Sequence, residues 1–292
     1  MMYFKNKFSI ISRKASRGFT LIELVLVIII LGIMATGISG FISLSTQTYL
    51  NATNRDELIG NARFVIERLS RELRNAVPNS IRIQSWYGDR VQCIEFTPIV
   101  ASTIYTDIPV LPELASKTLS VIPFNGADGN PYQCDSATGC TDKVTVYPLN
   151  KDDIYDDYTS KDGKIFRIDN IDTSVTPWKI NILNITEITF DEDSPTQRLY
   201  ITKEAISYCT MPVPPANTVT MVRFNDDIND GDQVIPFKQR YYMAGYLVDG
   251  HLVFNYQPAT LKRNAVVQIN LQFTKEDEKY VFSHEVHINN VP

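Results

Sequence analysis

Glu23 is the first residue whose chemistry needs explaining. It is the only charged side chain in the apolar run from Phe19 to Leu44. An ionised group in hydrocarbon costs at least about 2.5 kcal/mol on the mildest scales, so it is kept where it has a partner and a task. Four cysteines form the second set: Cys93, Cys134, Cys140 and Cys209. Four thiols allow three pairings. Cys134 and Cys140 flank the short polar stretch DSATG, which suits a local staple. Cys93 and Cys209 lie in strand-like text and would then pair over a long distance, the alternative being buried free thiols. No Cys-x-x-Cys pair is present and no histidine lies close to them, which speaks against zinc.

The remaining candidates are weaker. His284 and His287 in HEVH sit in alternating text, and strand residues three apart point to opposite faces, so the two imidazoles are not expected to share an ion. His251 follows an Asp-Gly pair. Two acidic stretches, Asp152, Asp153, Asp156 and Asp157, and then Asp226, Asp227, Asp230 and Asp232, could attract calcium. Neither has the EF-hand spacing, and solvated turns are the expectation. No Gly-x-Ser-x-Gly, phosphate loop or dinucleotide fingerprint occurs. The expectation is a protein that is not an enzyme, with no catalytic residues, no cofactor and no metal.

The elements that must position these residues follow from charge and periodicity. Lys5, Lys7, Arg13, Lys14 and Arg17 form an acid-free block before the apolar run. Without them, 23 basic residues face 33 acidic ones, which argues against nucleic acid as a partner. A basic block ahead of a span argues for a cytoplasmic N-terminus. The apolar run is longer than a bilayer core of about 30 Å requires, and no small-x-small site follows it as in a secretory signal. Past it, Leu58, Ala62, Val65, Leu69, Leu73 and Ala76 recur at steps of three and four, while the opposite face is charged. One helix is therefore expected from Phe19 to Val77, ended by Pro78, with Gly32, Gly37 and Gly40 as points where it could bend. From Ile81 onward the text is strand-like. SIRIQSWYGDRVQCIEF holds a Gly-Asp turn, SKDGKIFRI an Asp-Gly turn, and YLVDGHLVFNY reads as a hairpin about Asp249-Gly250. The C-terminal stretch reads as two alternating strands, and residues 97–142 as loops and short strands. The fold class is α+β: a long N-terminal helix packed on a largely antiparallel sheet.

The stretch RGFTLIELVLVIIILGI resembles the N-terminal signature of type IV pilins and pseudopilins. The resemblance covers roughly residues 13–45. It implies cleavage by a prepilin peptidase after Gly18, methylation of the new N-terminus at Phe19, and an assembly role for Glu23 in pairing with the Phe19 ammonium of its own or a neighbouring chain. The chain then divides into a cleaved leader (1–18), a transmembrane and assembly helix (19–44), an amphipathic helix (45–77) and a β-rich head (78–292). CIEFTPI around Cys93 and the closing HEVHINNVP are similar to minor pilins of the mannose-sensitive haemagglutinin (MSHA) pilus, of the O type.

That resemblance implies a single-pass inner-membrane protein, its N-terminus cytoplasmic and its head periplasmic, later part of a surface pilus used in attachment. The partners implied are other minor and major pilins, the prepilin peptidase, the inner-membrane assembly machinery and the membrane itself. Two alternatives stand beside a minor pilin that primes or caps the pilus. One is a minor pseudopilin of a type II secretion tip complex, and the other a membrane-anchored adhesive or sugar-binding module.

Overall fold

The apolar run and the one-sided stripe after it form a single helix, α1 (Leu21–Arg74), of 54 residues. The structure, a computed structural model, describes residues 18–184, 186–213, 218–228, 231–235, 240–259, 263–276 and 278–288. The chain falls into two units, residues 1–55 and 56–292. In the first, every described residue up to Thr53 is exposed, including all the apolar ones. Gly32, Gly37 and Gly40 stay helical.

The second unit is held together by what the stripe covers. Leu58, Ala62, Val65, Leu69 and Leu73 are fully buried and pack with Phe96, Tyr208, Met221, Val267, Ile269 and Leu271 in the largest core cluster. The charged helix face is not wholly solvated. Glu72 accepts hydrogen bonds from Arg68 within the helix, from the Tyr208 hydroxyl at 2.8 Å and from Arg223 Nε at 3.0 Å. The helix stops at Arg74, short of the expected Val77, because the backbone there is claimed by a neighbour. Ala76 bridges to Pro98, the Val77 amide donates to the Thr97 carbonyl, and Ile99 donates to Asn75.

Among the described residues sixteen strands follow: β1 (Arg82–Trp86), β2 (Val91–Phe96), β3 (Ala101–Asp107), β4 (Thr118–Val121), β5 (Lys143–Val146), β6 (Asp162–Gly163), β7 (Ile165–Asp172), β8 (Trp178–Ile182), β9 (Thr189–Phe190), β10 (Arg198–Thr202), β11 (Ala205–Pro212), β12 (Thr218–Asp226), β13 (Arg240–Val248), β14 (Phe254–Gln257), β15 (Ala265–Lys275) and β16 (Glu278–Ile288). Eight of them form an antiparallel sheet in the order β1-β2-β11-β12-β13-β15-β14, with β16 on β15. The fold class is α+β, as the periodicities indicate.

Between the neighbouring strands β2 and β11 the chain leaves the sheet and builds a second module. Strands β10-β3-β4-β8-β7-β5 close into a barrel. Its interior holds its own core, with Leu119, Val144, Phe166, Ile168, Ile180, Leu199 and Ile201 buried together. The stretch read as loops and short strands thus supplies two barrel staves, β3 and β4. Closure removes the free edges that short strands would otherwise leave.

Two expected turns are corrected. β13 and β14 do not form a hairpin about Asp249-Gly250. Both pair antiparallel with β15, Leu247 against Phe273 and Phe254 against Ile269, so they run in the same direction, one after the other. The chain steps out and back at 249–253, with Gly250 at φ +70° and Asp249 held by Arg90 from the β1–β2 turn. Continuing in one direction keeps Leu247, Val253 and Phe254 in the core. Asp162-Gly163 is likewise no hairpin turn but a two-residue strand, parallel to Thr189-Phe190. The Gly88-Asp89 turn and the β15–β16 pair stand as read.

Candidate processing and assembly site

The residues around the start of α1 are positioned by a local device. Gly18, Phe19 and Thr20 precede the helix and are exposed. Thr20 sits at the N-cap position, and its hydroxyl accepts a hydrogen bond from the Glu23 backbone amide at 3.4 Å. Thr20-Leu-Ile-Glu23 therefore has the spacing of a capping box, which satisfies amides that a helix start leaves unbonded. Its sequence signal is Thr20-x-x-Glu23 directly ahead of an apolar run. The cap fixes Glu23 in the first turn, where the helix dipole favours a negative charge. No ion pair to Glu23 is present among the described residues. A Cβ on Gly18 would meet nothing within 4 Å. No described residue of this chain demands a small side chain there. The residues before Gly18 lie outside the described ones.

The structure joins Cys93 to Cys209 and Cys134 to Cys140. The first pair faces across the β2–β11 ladder with 4.1 Å between Cα atoms. It ties together the two strands between which the barrel is inserted. The second closes a loop that carries a single 3₁₀ turn, Ser136–Thr138, capped by Asp135. Cys134, Cys140 and Asp142 are the one set of three close metal-type donors among the described residues, and both thiols are consumed by the disulfide.

The acidic stretches are organised around protein groups. Asp153 accepts from the amides of Leu149 and Asn150 and from Lys164, which also reaches Glu192 at 2.7 Å. Asp157 accepts from the amide and hydroxyl of Thr159. These bonds hold the Asp157 carboxyl below its usual range. Asp226 accepts from the Asp227 amide, Asp232 is exposed, and Asp230 lies outside the described residues. His284 and His287 fall on opposite faces of β16, half-buried and exposed respectively. His251 is half-buried in the 249–253 step.

One buried ion pair carries no motif in the sequence. Arg82 and Glu95 are 7% and 6% exposed and bonded at 2.7 Å, with the guanidinium 3.6 Å from the Tyr155 ring centre. Burial raises the Glu95 carboxyl above its usual range, against the pull of Arg82. The Gly88-Asp89 turn sets the register that places these residues opposite each other, so the pair could have been found by counting outward from it.

Residues 13–39 match the profile of the prokaryotic N-terminal methylation motif. No curated protein and no solved structure matches the chain. The motif, the apolar helix behind it and the two disulfides fit a membrane-anchored, type IV pilin-like protein. Such a motif implies processing by a prepilin peptidase and assembly with other pilins.

Proposed function

We propose that this protein is a minor type IV pilin, MSHA-like, that primes or caps a surface pilus used in attachment. The observation that carries the reading is the methylation motif over residues 13–39, with Glu23 fixed in the first turn of an exposed apolar helix. In this reading the peptidase cuts after Gly18 and leaves an ammonium on Phe19. Glu23 lies one turn further on. A carboxylate and an ammonium that cannot leave hydrocarbon are each costly alone and far less so together. Pairing Glu23 with the Phe19 terminus of a neighbouring subunit sets the axial register as helices pack. The head stays periplasmic while the chain waits in the inner membrane. The large head supports a low-copy role at a tip or base over that of a repeating shaft subunit.

The test is the mass of the N-terminal peptide, recovered separately from sheared surface fibres and from membranes. A methylated Phe19 terminus in the fibre fraction is the expected result. The processed form in membranes alone would point instead to a minor pseudopilin of type II secretion. An intact leader in both fractions would overturn the pilin reading and leave a membrane-anchored adhesive or sugar-binding module.

A further inference from the structure

The eight-stranded sheet curls until strands far apart in its order approach each other. β1 and β14 stand at opposite ends of the path β1-β2-β11-β12-β13-β15-β14. Yet the Gln92 side chain, on β2, donates to the Phe254 carbonyl of β14 at 2.9 Å and accepts from the Phe254 N–H at 2.8 Å. At this seam lies a cavity of about 480 Å³, lined by residues of β1, of β14 and of the segment before β13. A cleft of that size holds a small molecule.

The lining decides which kind. Its two cations are already spent. Arg82 donates to Glu95 and, from Nη1, to the Gly231 carbonyl at 2.6 Å, and Lys151 is paired with Asp152. An anion therefore finds no free positive partner. The lining carboxylate, Asp232, is exposed to water, where an ion pair is worth little to a cation. The uncharged polar groups are the ones left open. Gln233 is only 4% exposed; its Nε2 donates to the Cys93 carbonyl at 3.4 Å, and its Oε1 is buried without a hydrogen-bond partner. Tyr256 is half-buried, and burial alone raises its hydroxyl above the usual range, with no hydrogen-bonding or charged neighbour contributing. Gln84 brings a half-buried amide, and Asn255 commits its Nδ2 to Gln268 at 2.9 Å. A wholly apolar ligand would leave such groups dry and unpaired, which is costly. We propose that this cavity binds an uncharged, hydroxyl-rich small molecule of the class of a neutral monosaccharide. A sugar hydroxyl both donates and accepts, so one ligand can donate to Gln233 Oε1 while accepting from the Gln84 amide or the Tyr256 hydroxyl. The site belongs to the head and needs no processing at Gly18, so its failure and that of the pilin reading are separate results.

The test uses the full chain in micelles of a zwitterionic detergent without a sugar headgroup, with its glutamine side-chain amides labelled for NMR. The probes are glucose, galactose and N-acetylglucosamine, set against two charged counterparts, glucuronate and glucosamine. At least one neutral sugar should shift the Gln84 and Gln233 amide signals saturably below about 50 mM, and its charged counterpart should bind about tenfold more weakly. Tyr256→Phe removes one hydroxyl and keeps the ring that packs on the core. It should weaken binding about three- to tenfold with the melting temperature unchanged. No saturable shift with any of the three neutral sugars would mean that the cavity holds water alone and would overturn the proposal. Shifts confined to other glutamines would overturn the site. Equal or tighter binding of the charged counterparts, or full affinity in Tyr256→Phe, would overturn the ligand class and its recognition.

Discussion

Residues 18–55 and residues 56–288 solve opposite problems with the same helix. In the first stretch every apolar side chain up to Thr53 is exposed and the sequence is dense in signal. In the second, apolar side chains are spaced so that one stripe is buried, and the chemistry is that of packing. A helix apolar all round needs an apolar surrounding, either lipid or other helices, whereas a one-sided helix is satisfied by its own sheet. Substitutions in the first stretch should therefore bear on assembly, and those in the second on folding.

The sharpest way to break that division is at the helix start. Glu23→Ala should leave insertion and cleavage intact and abolish incorporation into fibres, read by comparing fibre and membrane fractions. Normal incorporation would remove the pairing account. At Gly18, alanine should be processed better than leucine, since the described residues leave open space there and the peptidase is the partner that would need a small side chain. Equal processing of both would dismiss the steric argument. Neither change should move the melting temperature of the head.

The head carries the reverse expectation. Each disulfide removes freedom from the unfolded chain according to the loop it closes. Cys93–Cys209 spans 116 residues and Cys134–Cys140 only 6. Replacing Cys93 and Cys209 by serine should cost roughly 4–5 kcal/mol, and the same change at Cys134 and Cys140 about 2 kcal/mol, in denaturant unfolding of the full chain. Equal costs would mean that the long tie does not brace the inserted barrel. Leu69→Ala, in the centre of the stripe, should cost about 3 kcal/mol, while Leu31→Ala in the exposed stretch should leave head stability unchanged. A matching loss from Leu31→Ala would contradict the division of the helix.

What the sequence made legible follows the same line. The stripe from Leu58 to Leu73 was readable because helical periodicity and burial are one fact seen twice. β15 was readable because Val267, Ile269, Leu271 and Phe273 alternate with half-buried Gln268, Asn270 and Gln272. The barrel was not, because β3 and β4 are short and lie among prolines and turns, and closure is a property of six strands together. Asp249-Gly250 misled for a related reason. The pair has hairpin chemistry, but β15 offers a single long edge that both flanking strands occupy in turn. Local turn preference lost to the burial of Val253 and Phe254.

That step at 249–253 gives the smallest of the expected effects. Arg90 donates from Nε and Nη2 to Asp249 Oδ2 at 2.9 and 2.6 Å, joining the β1–β2 turn to the link between β13 and β14. The hydrogen bond from Arg90 holds the Asp249 carboxyl below its usual range. A carboxyl depressed in the folded state contributes stability that is present above its unfolded value, about pH 4, and is lost as the pH falls through the folded one. Asp249→Asn should therefore melt slightly below the parent at pH 7, and the gap should narrow steadily as the pH falls below about 4. Asp128, Asp157 and Asp172 are depressed as well, so both proteins should lose stability in acid, and only the difference between them reports on Asp249. A gap of unchanged size from pH 7 through the acid range would show that the residue acts through turn geometry, its charge on Arg90 contributing nothing.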